Sequence, residues 1–151
     1  MIRILLAIVA VVGVVSPSVS GDEVNAPYGQ QKVVYHINFD SGADLKRYVI
    51  ALRNVDNHVK AVGVENLDLR VIFHGPGLNL LIAARENDKL SAAIDSLKQR
   101  DVRFYVCNNT LETREIDYQK QLYEISADDI ISSGVAELVR LQQQGYIYIK
   151  P

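Results

Sequence analysis

The sequence predicts a three-layer α/β/α domain in which helices cover both faces of a mainly parallel sheet. Short β-branched and aromatic runs alternate with amphipathic helical segments five times along the chain, and this alternation is typical of parallel strands joined by helical crossovers. Each β-branched run is short and apolar, which indicates a buried strand. A chain of 151 residues, less its apolar N-terminal segment, suits one domain with its own core.

The N-terminal segment has the layout of a secretory signal peptide. One basic residue, Arg3, precedes a small and apolar run over residues 4–15, and Pro17 and small residues follow it. That run is too short to span a bilayer, whereas its length and the small residues after it are typical of a cleaved export signal. We therefore predict a periplasmic or secreted protein with no stable membrane span after cleavage.

Three regions follow from this assignment. We predict a signal peptide over residues 1–20 and a flexible lead-in over residues 21–31, because the latter is polar and contains Pro27 and Gly29. Residues 32–151 form the folded domain.

Five strands are predicted from β-branched and aromatic content. They cover residues 33–37, 67–73, 102–106, 129–132 and 146–149.

Five helices are predicted between these strands from apolar residues at steps of three and four. The first begins near Leu45, after Asp40 or Ser41 as its cap, and ends at Gly63. The others cover residues 78–84, 87–100 and 109–116 and a last segment with Val135, Leu138, Val139 and Leu141 that stops at Gly145. From the apolar faces of their helices, Leu52 and Val139 are predicted to lie in the core.

Residues 117–128 are polar and hard to assign, with Tyr118, Leu122, Tyr123 and Ile125 as the expected anchors. A loop of this length is uncommon in a compact domain. It is therefore predicted to be a lid or an oligomer contact.

The single cysteine, Cys107, lies where the third strand ends and a helix begins, with an asparagine as the expected N-cap. Backbone N–H groups at a helix N-terminus favour a thiolate over a thiol. A nearby cation would strengthen this effect, and His74 is the nearest candidate. One cysteine cannot form an internal disulfide, so Cys107 is either a reactive thiol or a small buried apolar residue.

Four strand ends are followed by polar or glycine-containing turns, at residues 38–42, 74–77, 107–110 and 132–134. In an open parallel sheet these turns share the edge where ligands bind. His74, Asn38 and Asp40 are therefore candidate neighbours of Cys107, subject to a strand order that the sequence does not reveal. Gly75 and Gly77 permit a tight turn and the close approach of a ligand or another backbone.

Several function classes are disfavoured. The formal net charge is −2 with no basic cluster, which argues against nucleic acid as a partner. The three histidines lie far apart in sequence and match no zinc spacing, so no metal site is predicted. The chain has no P-loop and no dinucleotide-binding glycine pattern, and no cofactor is predicted.

The domain resembles the DsrE/DsrF-like family of sulfur-oxidation and sulfur-relay proteins. The resemblance is carried by the first strand with its Asp40-Ser41 turn, VIFHGPG at residues 71–77, VRFYVCNNTL at residues 102–111, and SGVAEL at residues 133–138 with Leu141-Gln142 and Gly145-Tyr146 after it. These motifs keep their order and spacing over nearly the whole domain.

The resemblance implies a five-stranded parallel α/β/α domain that assembles into trimers or hexamers, with sites near subunit boundaries. It also implies that Cys107 carries sulfur as a persulfide and exchanges it with a small sulfur compound or a partner thiol. The backbone N–H groups of Asn108 and Asn109 would stabilise the sulfur anion, and His74 would act as a proton partner.

Two functions remain open from the sequence. The first is an exported sulfur carrier or sulfurtransferase-like protein that uses Cys107. The second is a non-enzymatic oligomeric binding or structural module in which Cys107 is a structural residue. A Cys–His hydrolase is a weaker alternative, because the sequence shows no third residue to orient the histidine.

Overall fold

The computed structural model describes residues 27–151. The predicted signal peptide, residues 1–20, lies outside the described residues.

The core of the protein is a five-stranded sheet in the order β4-β3-β2-β1-β5. Every neighbouring pair is parallel, which confirms the predicted fold class. The strands are β1 (Gln31–Ile37), β2 (Leu67–Phe73), β3 (Arg103–Cys107), β4 (Ile130–Ile131) and β5 (Ile147–Ile149). Each contains or overlaps a predicted strand.

Six helices accompany the strands: α1 (Lys46–Val62), α2 (Leu78–Ala83), α3 (Asp88–Lys98), α4 (Asn108–Thr113), α5 (Tyr118–Gln121) and α6 (Gly134–Gln143). Short 3₁₀ turns lie at Val64–Asn66, Gly75–Gly77 and Ala127–Asp129. The predicted helices are all present, and α5 is an additional short helix within the segment that was hard to assign.

The two faces of the sheet are covered unequally. Side chains of β1 alternate between the faces, so that Val33, Tyr35 and Ile37 meet α1, α2 and α3 in the larger core. Val34 points the other way, into a smaller core formed with α6 and Tyr146. The larger core also includes Leu111 of α4 and Tyr118 of α5, so among the described residues α6 is the one helix on the smaller core.

The start of α1 differs in detail from its prediction. Its N-cap is Leu45, a non-glycine residue with φ 54°, but the Ser41 hydroxyl still accepts a hydrogen bond from the Arg47 backbone N–H at 2.9 Å. Ser41 therefore accepts from a backbone N–H of the first turn that has no partner within the helix, although Ser41 lies outside the usual cap position. Gly63, with φ 85°, ends the helix as predicted.

The predicted core position of Leu52 is confirmed, whereas that of Val139 is wrong. Leu52 is 2% exposed and Val139 is 51% exposed. The apolar residues of α6 span too wide an arc for one contact face, because Gly134, Leu138 and Leu141 face the sheet while Val135 and Val139, four residues apart, face outward. No second helix from the described part of the chain covers that outer side.

The segment 117–128 packs on its own domain. Leu122 and Ile125 are buried, which confirms them as anchors. The Tyr123 N–H donates to the Leu81 carbonyl at 3.1 Å, and its hydroxyl donates to Asp95 at 2.9 Å. The apolar residues of this segment therefore find partners within the chain.

None of the helices within residues 27–151 is long and apolar enough to cross a membrane.

Candidate functional site

The strand order brings the ends of β1, β2 and β3 side by side, because β2 lies between the other two. His74 directly follows β2, and Cys107 is the last residue of β3. His36, near the end of β1, pairs in register with Ile72 of β2. Three reactive side chains thus lie along one edge of the sheet.

Gly134, the first residue of α6, lies between Cys107 and His74. A Cβ atom at this glycine would lie 3.2 Å from the His74 Cβ, 3.3 Å from the Cys107 Cβ and 3.3 Å from the His74 Cδ2. The glycine therefore allows α6 to begin against both residues. Cys107 and His74 are neighbours, as predicted.

Cys107 itself is the N-cap of α4, with extended backbone angles, so the N-cap lies one residue before the predicted asparagine. Its side chain is 5% exposed. Because α4 has only six residues, its terminal charge is small, but the ten-residue α6 begins beside the same cysteine. Two helix N-termini therefore meet near Cys107, and both favour negative charge there.

Asn108 and Asn109 occupy the first turn of α4, where their backbone N–H groups have no partner within a helix. Their side chains play other parts: the Asn108 amide donates to Glu112 at 2.8 Å, and Asn109 is exposed. Neither amide group contacts the thiol in a hydrogen bond.

The structure adds His36 and Tyr148 to this site, which sequence reasoning missed. The Nε2 atoms of His36 and His74 are 2.6 Å apart, and His36 Nδ1 lies 2.8 Å from the Tyr148 hydroxyl. The ring of His36 is thereby held between His74 and the edge strand β5. Because side chains of a strand alternate between its two faces, the sequence could have placed His36 on the same face as Val34, the face that α6 covers. Only the fold brings Tyr148, 112 residues away, against it.

Both histidines of the pair are neutral near pH 7. Burial, followed by the neighbouring His74 and Lys150, lowers the pKa of His36 to about 4. Burial and Lys150 also lower the pKa of His74. His74 therefore does not supply the cation that the sequence led us to expect, and it is suited instead to accept a proton.

The glycines after β2 have separate roles. Gly77 packs on the end of β1, where an added Cβ would lie 2.0 Å from the Ile37 carbonyl oxygen. Gly75 has φ 52°, and its N–H donates to the Thr110 hydroxyl of α4 at 2.9 Å. Together they fix the His74 turn against β1 and α4, so the predicted close approach involves protein backbone.

Asp40 lies in a second polar network. Its Oδ1 accepts from the Tyr48 hydroxyl at 3.1 Å and from the Gly42 N–H at 3.2 Å, and its Oδ2 accepts from Asn79 at 3.3 Å. These hydrogen bonds, the Gly42 N–H first, lower the pKa of Asp40. None of its hydrogen bonds reaches Cys107 or His74, which separates Asp40 from the thiol.

Arg114 connects that network to the His74 turn. Its guanidinium donates to the Gly75 carbonyl at 2.9 Å and to Asn79 Oδ1 at 2.7 Å. Asn38, the first residue after β1, has a buried Oδ1 with no hydrogen-bond partner among residues 27–151. The predicted site residues thus divide into a group at Cys107 and a group at Asp40.

Comparison with known proteins places this arrangement in a family. The model of the DsrE/DsrF-like family matches residues 31–151, which include every residue of both groups. The chain belongs to the DsrE/DsrF-like family. The predicted resemblance is confirmed.

Solved structures share this DsrE/DsrF-like fold. MTH1491 from Methanobacterium thermoautotrophicum, described as a protein of unknown function, is 32% identical, with a TM-score of 0.66 over 81% of this chain and 100% of that one. The YchN protein from E. coli is 16% identical, with a TM-score of 0.60 over the same shares of each chain, and supports the fold alone. No curated protein matches the sequence.

A wide cleft of this DsrE/DsrF-like domain lies away from Cys107. Within residues 27–151, no three histidine, cysteine or acidic side chains are grouped so as to hold a metal ion. A cleft of about 760 Å³ opens at the amino ends of the strands, lined by Lys32, Asp68 and Arg103 among others. It lies at the opposite edge of the sheet from the thiol.

Proposed function

We propose that this DsrE/DsrF-like protein carries sulfur as a persulfide on Cys107, in a sulfurtransferase-like exchange. Family membership suggests a role related to sulfur relay. The observation that carries the proposal is the position of Cys107: it ends β3, begins α4 and lies beside His74 at the start of α6. Helix N-termini and a nearby proton acceptor both increase the fraction of a cysteine that reacts as a thiolate.

The proposed exchange needs no oxidant. The Cys107 thiolate attacks the outer sulfur of a donor such as thiosulfate, and a new S–S bond forms on Cys107. The S–S bond of the donor breaks, and its electron pair leaves with sulfite. A second thiol then takes the outer sulfur from Cys107 in the reverse sense and restores the thiolate.

We expect the folded protein to gain sulfur at Cys107. Incubation with thiosulfate or polysulfide should add mass increments of one sulfur atom to the wild type and none to Cys107→Ser, measured by intact-mass spectrometry. Dithiothreitol should remove the increments, because a persulfide is reducible. Equal increments on both proteins would place the sulfur elsewhere and contradict the proposal.

The alternative function is a non-enzymatic module with a structural Cys107, and one observation favours it: the side chain is only 5% exposed. A small buried thiol packs like an apolar residue. If iodoacetamide labels Cys107 only after unfolding, the thiol is inert and the structural module is the better account.

We propose further that the protein is exported, on the strength of the apolar run and small residues near its N-terminus. Intact mass of the protein from its native host should show cleavage near Ser20 or Gly21. Retention of Met1 would contradict export by this route.

We also propose that the protein is a homo-oligomer. The surface that supports this proposal is the exposed apolar side of α6, in place of the segment 117–128 that the sequence suggested. The segment 117–128 is satisfied within the chain, whereas Val135 and Val139 expose an apolar stripe on α6 that is 61% and 51% accessible. Light scattering should show more than one subunit at micromolar concentration, and Val139→Glu should weaken the assembly. A monomeric wild type would remove this proposal.

A further inference from the structure

The two histidines beside Cys107 form a tightly coupled pair. Their Nε2 atoms are 2.6 Å apart, and their ring centroids are 4.6 Å apart with a tilt of 30°. His36 is 6% exposed, and its other nitrogen, Nδ1, lies 2.8 Å from the Tyr148 hydroxyl. The outer end of the pair is therefore held by a residue of β5.

Proton counting shows where this pair can take up a proton. A neutral imidazole has one N–H and one lone pair, so the short bond between the Nε2 atoms holds a single proton between the rings. When His36 Nδ1–H donates to the Tyr148 oxygen, the free lone pair of the system is on His74 Nδ1. That nitrogen has no hydrogen bond to any residue from 27 to 151. With a proton added at His74 Nδ1, each ring nitrogen of the pair either carries a proton or shares the one between the two Nε2 atoms.

His74 and Cys107 both lie against the start of α6, His74 through its Cβ and the Cδ2 edge of its ring. Gly134 contacts both the His74 ring and the Cys107 Cβ, and its missing side chain leaves no bulk between them. Because the start of α6 contacts both residues, the histidine and the cysteine are held in a fixed relation.

We propose that His36 and His74 act as one proton-accepting unit for Cys107, with Tyr148 holding its outer end. This inference rests on the proposed function, since it takes Cys107 as the reacting thiol. The S–H bond of Cys107 breaks, its electron pair stays on sulfur, and the proton goes to His74. The pair then holds one positive charge, shared by two rings, opposite the thiolate. His74 exchanges the proton, and His36 and Tyr148 are positioning residues.

The surrounding charges suit this role. Burial, and to a smaller extent Lys150 after β5, lowers the pKa of both histidines, so the pair is neutral near pH 7 and keeps a free lone pair. Glu137 of α6 is paired with Arg140. The thiolate of Cys107 is therefore the charge that the protonated pair would balance.

The test is the pH dependence of Cys107 alkylation in the folded full chain. Alkylation by iodoacetamide is followed by intact mass, and its rate is plotted against pH. The pH midpoint of this curve should rise by about one unit in His36→Asn, because an opposite charge beside the thiolate is lost. Tyr148→Phe should raise it by less. Proton NMR should show a far-downfield N–H signal from the short bond in the wild type and none in His36→Asn.

His58→Asn is the matched control. His58 is also a partly buried histidine bonded to a tyrosine, Tyr35, at 3.0 Å, and to Gln31 at 2.8 Å, but it lies on the face with α1. Its substitution should leave the alkylation midpoint and the downfield signal unchanged.

The possible results distinguish a failure of the histidine pair from a failure of the proposed sulfur-carrier function. If His74→Asn raises the midpoint and His36→Asn does not, His74 acts alone and the pair is overturned. If the wild type gains sulfur on Cys107 but no histidine variant moves the midpoint, the pair fails and the carrier function stands. If Cys107 is inert in the folded wild type, both fail. Should His36→Asn not fold, Tyr148→Phe decides, and an unchanged midpoint there overturns the pair.

Discussion

Gly77→Ala should destabilise the protein by at least about 3 kcal/mol, at the upper end of the usual cost of overpacking. An alanine Cβ would lie 2.0 Å from the Ile37 carbonyl oxygen and 2.6 Å from its carbon, and backbone at the end of a central strand cannot move aside cheaply. The backbone of Gly77 is already right-handed helical, with φ −61°, so alanine meets no conformational penalty there. The loss therefore isolates the steric overlap.

Gly75→Ala is the control for this prediction. That glycine has φ 52°, and an added Cβ would have nothing within 4 Å, so only the left-handed backbone conformation is penalised, by about 1–2 kcal/mol. Urea unfolding followed by circular dichroism measures both variants. If Gly77→Ala costs no more than Gly75→Ala, the close contact between the His74 turn and β1 is wrong.

Leu52→Ala should lower the free energy of unfolding by about 2–5 kcal/mol, the usual cost of removing a large core side chain. Leu52 is 2% exposed and lies in the larger core between α1 and the sheet. The lost burial and the cavity left behind both contribute to the change. Urea unfolding at one protein concentration gives the difference.

Val139→Ala is the corresponding truncation at an exposed helix position, for comparison with the buried Leu52. This residue is 51% exposed, so its truncation should change the free energy of unfolding of the isolated subunit by less than about 0.5 kcal/mol. A large loss that depends on protein concentration would instead point to the α6 surface as a subunit contact. A loss of several kcal/mol at every concentration would contradict the packing described for α6.

Local patterns were sufficient for most of the fold. The β-branched runs predicted all five strands, and steps of three and four in α1 and α3 predicted their buried faces, because both helices pack on the sheet along one broad apolar stripe. The pattern failed at α6. Four apolar residues there lie on two sides of one helix, and sequence periodicity does not show which side meets the sheet.

The candidate site was predictable only in part. Cys107 and His74 each follow a buried strand, and in a parallel sheet such residues share an edge, so their proximity followed once β2 and β3 proved adjacent. The asparagine amides of α4 and the Asp40 carboxylate also follow strands, so the sequence placed them at the same edge of the sheet as Cys107. Their side chains nevertheless satisfy local partners, Glu112 for Asn108 and Tyr48 for Asp40.

The sequence by itself determined the fold class and the position of Cys107 between a strand and a helix, because both depend on residues that are near one another in the chain. Only the tertiary structure decided that His36 pairs with His74, that Tyr148 holds His36, and that Gly134 lies between histidine and thiol. These contacts join β1, β2, β3, β5 and α6. They depend on strand order and on which face each strand turns to α6, and neither is encoded by local propensity or spacing.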